Sequence, residues 1–196
     1  MTGERTTDWS RQWPTLYATG GEPSPYDDDA TTYMRAGAFL SGPGLVEEWG
    51  CATTWGKRFV GAPYRGVDGA EGVDEFWGAV RADLRTYRSS VPKILMRHVL
   101  EHNWEWRAIL QNALASFTDR MVLVLFIEPS DDGDFDVPGA AWDDGPNHPP
   151  GLMLDAADLT RLLDGSGARW TREDVIGGRC PPFNHEIMYF LDRGGA

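Results

Sequence analysis

The chain has 196 residues, 41% of them hydrophobic, enough for one sizeable core and, on length, a single domain spanning 1–196. Thirty acidic against eighteen basic residues leave a formal charge of -12, and the scattered Lys and Arg form no basic patch, which argues against nucleic acid as a bulk partner. No apolar run is long enough to span a bilayer, the start MTGERTTDWSRQW has no secretory core, and two cysteines, Cys51 and Cys180, suit a reducing compartment, so a cytoplasmic, membrane-free protein is expected.

Residues 1–31 are rich in Pro, Gly and Asp yet carry Trp9, Trp13, Tyr17 and Tyr26, which suggests an N-terminal arm that packs back on the body. Thr32 to Leu40 can form a short helix, ended by the turn signals of SGPG. A strand is expected at Leu45–Val46, running into Glu47 and Glu48. After a glycine turn, TTWGKRFV reads as a helix capped by Thr53 or Thr54, and YRGVD as a second strand. Strand, glycine turn, helix and strand closing on an acid is the grammar of a nucleotide-binding sheet. Asp68 lies twenty residues past Glu48, near the spacing at which such folds place the acid that grips a ribose diol.

VDEFWGAV is a helical candidate, RADLRTY brings Asp83 to the end of a short extended piece, and Val91 to Met96 is an apolar strand. Asn103 should cap a helix whose apolar stripe is Trp106, Ile109, Leu110, Ala113, Leu114 and Phe117. The stripe makes Trp106 a core residue and leaves Trp104 more exposed, nearer to any ligand. RMVLVLFIEP is the strongest strand, expected to be central and covered on both faces. The acidic segment 130–151, SDDGDFDVPGAAWDDGPNHPPG, is long enough to be a lid or a solvated flap, with Phe135, Trp142 and His148 in it. Asp155 can cap AADLTRLL, and HEIMYFL reads as the closing strand.

One string raises a metal question. His98-x-x-Glu101-His102 has the spacing of an inverted zinc-peptidase motif, but a metal-binding version needs both imidazoles on one helix face and a later helical acid. Here the histidines fall between a strand and the next helix cap, and the later acids Glu173 and Glu186 lie in strand or loop. No metal is therefore expected, and a zinc hydrolase stands as a minor alternative.

The ordered set of VEEWGCATT, YRGVDGA, RADL and RHVLEH resembles the class I S-adenosylmethionine-dependent methyltransferases, in particular small ones with an hVLEH string after the fourth strand. The resemblance runs from about Tyr33 to Phe126 and more weakly to Leu191. It implies an α/β fold: a doubly wound, mostly parallel, seven-stranded Rossmann-like sheet whose last strand is antiparallel. It implies S-adenosyl-L-methionine as cofactor, with Glu48, Gly50, Cys51 and Ala52 in the loop passing the methionine portion. Asp68 and Gly69 would stand at the ribose, Asp83 and Leu84 at the adenine, and Arg97 and His98 along the cofactor edge. A carboxylate, an acceptor-only group, suits a vicinal diol, and a sulfonium nucleoside needs no phosphate cradle.

His102 is the candidate general base, with His98 as the second catalytic candidate; packing histidines are the bland reading of both. The sequence departs from the family where Ala52 and Thr54 replace loop glycines and Lys93 replaces the acid expected early in the fourth strand. A noncatalytic S-adenosylmethionine-binding or regulatory protein is thus the chief alternative, and a nicotinamide dehydrogenase a fainter one. The expected acceptor is a small molecule or one exposed group, with a tilt toward cationic or amine-bearing chemistry from the acidic loop.

Overall fold

The computed structural model describes residues 31–61, 63–137, 151–180 and 183–194. The N-terminal arm, and the part of the acidic segment holding Trp142 and His148, lie outside the described residues.

Among the described residues, nine strands and four α-helices follow in the order α1 (Thr31–Phe39), β1 (Val46–Trp49), β2 (Tyr64–Asp68), α2 (Val73–Trp77), β3 (Val80–Arg81), β4 (Val91–Arg97), α3 (Trp106–Ser116), β5 (Phe117–Leu125), β6 (Phe135–Asp136), β7 (Leu152–Met153), α4 (Ala156–Gly165), β8 (Arg169–Cys180) and β9 (Phe183–Asp192). Seven of the strands form one sheet in the order β3-β2-β1-β4-β5-β9-β8. β1 to β5 run parallel to one another, and β9 is antiparallel to both β5 and β8, so the reversed strand is the last one, as expected. β6 and β7 pair as a separate two-stranded ribbon, which closes the base of the acidic segment.

The central position of β5 follows from its composition. Met121 to Leu125 are all buried, and the alternation sends Met121, Leu123 and Leu125 to one face and Val122 and Val124 to the other. The first face meets Trp106, Ile109, Leu110 and Ala113 of α3, the expected stripe. Trp106 is fully buried and Trp104 half-buried. The second face meets Tyr33, Ala36 and Leu40 from α1 and the turn after it. Lys93 also faces α1: it is 1% exposed, and its Nζ donates to the carbonyls of Ser41 (3.1 Å) and Gly42 (2.9 Å), tying the end of α1 to β4.

Three local expectations change. TTWGKRFV makes only a 3-10 turn, Trp55–Arg58: Thr54 adopts φ 57°, away from the extended backbone usual for a side-chain N-cap, and its side chain makes no capping bond. Asn103 does not cap α3: it ends the short 3-10 turn Leu100–His102, its side-chain amide donates back to the Val99 carbonyl, and Glu105 occupies the cap position. Phe117 leaves the helix and opens β5, at φ -82° and ψ 145°. Asp155 does cap α4, accepting the Asp158 N–H at 2.8 Å. Among the described residues no helix is long and apolar enough to cross a membrane.

Candidate cofactor site at the tips of β1 to β4

Parallel strands bring their C-terminal tips to one edge, where ligands of open α/β sheets bind. Gly50, Cys51, Ala52 and Thr54 follow β1, Asp68 ends β2, Asp83 follows β3, and His98 follows β4. The Ala82 N–H donates to the Asp68 carbonyl at 2.8 Å, which sets Asp83 beside the tip of β2.

The loop after β1 takes a left-handed backbone at three alternate positions, of which one is a glycine. Gly50, Ala52 and Thr54 have φ of 72°, 46° and 57°. Ala52, Thr54 and His98 (φ 55°) are the non-glycine residues with positive φ among the described residues, and all three sit at the tips of the adjacent strands β1 and β4. Such strain persists only where the surroundings enforce it, and it concentrates at ligand sites. Gly50 must be glycine for packing as well: a Cβ there would lie 2.3 Å from Val99 Cγ2. The Cys51 side chain is turned into a buried cluster with Val73 and Ala79, while its N–H donates to the Val67 carbonyl at 3.3 Å and its own carbonyl accepts the Thr54 N–H at 2.6 Å.

Asp68 is 6% exposed, with Oδ2 accepting the Ala52 N–H at 2.9 Å and Oδ1 the Ala70 N–H at 2.8 Å. Burial raises its pKa, and the N–H groups of Ala70, Ala52 and Gly69 oppose the rise. An ionised carboxylate offers about four acceptor positions, so with these three N–H groups in place about one stays open to a hydroxyl donor. Asp83, on the expected edge, is gripped from within the chain: the Arg85 fork holds its carboxylate through Nε (2.9 Å to Oδ1) and Nη2 (2.7 Å to Oδ2) and keeps its pKa down. Leu84 is buried, its carbonyl accepting from Asn112 Nδ2 at 2.9 Å.

Beneath this edge lies a buried polar network. Glu48 is 1% exposed and accepts from the Tyr64 hydroxyl, and burial pushes its pKa up to about 7. Its carboxylate lies 2.6 Å from where a Cβ on Gly56 would stand, so the 3-10 turn passes directly over it. Glu48 is thus packed under the loop instead of standing in it. Arg97 is likewise turned to α1 and β9: Nε donates to Thr32 Oγ1 (3.1 Å) and Nη2 to Glu186 Oε1 (2.8 Å). The same Glu186 oxygen lies 2.5 Å from His98 Nε2, while Glu186 Oε2 accepts from the Thr32 hydroxyl at 2.9 Å. Burial would raise the Glu186 pKa, but His98 and Arg97 outweigh it and hold the carboxyl at about 2. Burial and the Arg97 charge lower the His98 pKa to about 4, so His98 is neutral and donates Nε2–H to Glu186.

His98 and His102 do not share a helix face, because only Leu100–His102 is helical and His98 is left-handed. Their rings instead flank Phe126, at centroid distances of 4.9 Å and 5.2 Å. Glu101 turns inward, Oε1 accepting the Phe126 N–H at 2.6 Å, and burial raises its pKa to about 8. Phe126 and Ile127 in turn pack with Val137 and Met153 of the ribbon that carries the acidic segment.

The residues fit a sulfonium nucleoside: a buried acceptor, Asp68, at the tip of β2, a second carboxylate, Asp83, on its β3 side and a strained loop on its β1 side. Glu186, Arg85, Glu105 and Thr32 were not singled out as site residues from the sequence. Glu186 alone left a signal, an acid inside the apolar run HEIMYFL, which requires a buried partner.

No protein-family model matches the chain, and no curated protein matches it by sequence. Its structure is similar to solved ones. The Burkholderia thailandensis 1,6-didemethyltoxoflavin-N1-methyltransferase, with bound 1,6-didemethyltoxoflavin and S-adenosylhomocysteine, matches at a TM-score of 0.59 and 15% identity over 91% of this chain and 84% of that one. The magnesium protoporphyrin IX methyltransferase of Synechocystis PCC 6803, with bound S-adenosylhomocysteine, matches at 0.57 and 16% over 85% and 81%. The 4+2 cyclase SpnF matches at 0.64 and 12% over the whole of both chains. The chain has the Rossmann-like fold that these proteins share.

Proposed function

We propose that the chain is an S-adenosylmethionine-dependent methyltransferase that acts on a small molecule or on one exposed acceptor group. The observation that carries this reading is the convergence on one sheet edge of three left-handed non-glycine residues, Ala52, Thr54 and His98, with the buried carboxylate Asp68. Methyltransferases of the same fold crystallise with S-adenosylhomocysteine.

In this reading Asp68 and Gly69 bind the ribose hydroxyls, Asp83 and Leu84 meet the adenine, and the backbone of Gly50, Cys51 and Ala52 passes the methionine portion. Glu48 supports the loop from below, and Arg97 holds His98 in place through Glu186. When bound, S-adenosylmethionine supplies a methyl group on a positively charged leaving group. The chain then has two tasks, alignment and proton removal. His102 is the base that takes a proton from the acceptor, and His98, kept neutral, lines the site with Phe126. The acidic segment 130–151 favours an amine-bearing or cationic acceptor.

A second reading is a protein that binds the cofactor without transferring its methyl. Ala52 and Thr54 favour it by adding side chains where the family has glycines, and a cyclase shares the fold. Methyl-labelled S-adenosylmethionine incubated with the chain and a panel of small amines separates the two. Label on an acceptor, with S-adenosylhomocysteine released, supports transfer; binding without loss of label in any arm overturns it.

A further inference from the structure

Arg85 sits where the adenine subsite of the proposed function would be, between two acids on different elements. Its Nε and Nη2 span the Asp83 carboxylate, its own backbone N–H takes Oδ1 at 2.9 Å, and Nη1 reaches Glu105 Oε1 at 3.1 Å. The guanidinium is one-third exposed, Asp83 slightly more, and Glu105 about one-fifth.

The acceptor count at Asp83 carries the argument. Oδ1 takes Arg85 N, Oδ2 takes Nη2 at 2.7 Å, and the single Nε–H is shared between the two oxygens at 2.9 Å and 3.0 Å, so three N–H groups occupy about three of four acceptor positions. The carboxylate has little capacity left for an incoming amino group while the fork stays on. Glu105 lies next to the same guanidinium, so Arg85 can release Asp83 and keep an acidic partner.

We infer that Arg85 is a latch on the adenine subsite: it covers Asp83 in the free chain and shifts to Glu105 when a 6-amino purine takes the carboxylate. This rests on the proposed function, since it needs Asp83 to receive the adenine. Arg85 is a positioning residue here, acting on the ligand through Asp83.

The test is calorimetric titration of S-adenosylhomocysteine into the full chain and into Arg85→Ala, Arg85→Lys, Glu105→Gln and the Arg85→Ala/Glu105→Gln double variant. A partly exposed ion pair that no longer has to open corresponds to roughly three- to fivefold tighter binding in Arg85→Ala. Arg85→Lys, which keeps the charge and loses the fork, tightens binding less. Glu105→Gln weakens it about twofold in the intact chain, through loss of the second berth, and has no effect once Arg85 is gone. Unchanged or weaker binding in Arg85→Ala, with the unmodified chain still binding, overturns the latch alone and makes Arg85 a support for Asp83. Failure of every form to bind overturns the methyltransferase reading and the latch with it.

Discussion

Asp68 Oδ2 accepts the Ala52 N–H at 2.9 Å, so the acid at the tip of β2 and the loop after β1 hold each other in place. The loop's φ of 46° at Ala52 gives an L residue a conformation that glycine takes freely, and the carboxylate helps to pin it there.

The strain at Ala52 is measurable as stability. A left-handed L residue costs about 1–2 kcal/mol, and part of the gain from removing it is offset by the greater freedom of glycine in the unfolded chain, about 0.4–1 kcal/mol. Ala52→Gly should therefore raise the unfolding free energy by roughly 0.5–1 kcal/mol in a urea titration. A loss of stability would show that the Ala52 methyl is needed for packing.

Glu101 predicts a pH effect with a definite sign. Its pKa is raised by burial to about 8 in the folded chain, above its ordinary value of 4.5, so the native state holds a proton that the unfolded chain has released. Its contribution is fully present below pH 4.5 and is lost as pH rises to about 8, with a slope of at most about 1.4 kcal/mol per pH unit. Glu101→Gln keeps an acceptor for the Phe126 N–H and should flatten this decline, adding stability at pH 8 and little at pH 5. Parallel stability curves for the two forms between pH 5 and 8 would contradict it.

Glu186 works in the opposite direction. Held at about 2 by His98 and Arg97 against the effect of burial, it contributes stability that is present above pH 4.5 and lost as pH falls toward 2. Glu186→Ala removes the buried carboxylate that Arg97 Nη2 and His98 Nε2 share, and should cost about 3–5 kcal/mol. Glu186→Ala/Arg97→Met should cost clearly less than the sum of the two single changes. Additive losses in urea unfolding would show that the pair is uncoupled.

His102→Gln should lower the rate of methyl transfer at least tenfold, toward the roughly 100-fold typical of a lost general base. S-adenosylhomocysteine affinity should stay within about twofold, because none of the proposed cofactor contacts uses this ring. A full rate in single-turnover assays would remove His102 from the mechanism.

How much of this was legible in the sequence follows from how local each cause is. Met121 to Leu125 and the stripe Trp106, Ile109, Leu110 and Ala113 carry their own pattern, so the central strand and its covering helix could be read directly. Asp155 capped as its type suggests because the cap bond spans three residues. Thr54 and Asn103 failed as caps because other local arrangements win: Thr54 is left-handed in a turn that passes over the buried Glu48, and Asn103 turns back to the Val99 carbonyl. Asp68 and Asp83 stand on the edge that the motif spacing indicated. What the Asp83 carboxylate touches was not legible, since the Arg85 that grips it also answers to Glu105, twenty residues further on. The link of His98 to Glu186 crosses 88 residues and leaves no spacing to read.

The most direct test of the central claim is the affinity of S-adenosylhomocysteine for the intact chain and for Asp68→Asn, measured by calorimetry. Hydrogen bonds to a charged group contribute about 1.5–3 kcal/mol, so the account predicts clear binding by the intact chain and a roughly 10- to 100-fold loss in the variant, with its fold retained. Equal affinity in the two proteins, or no binding by either, would contradict it.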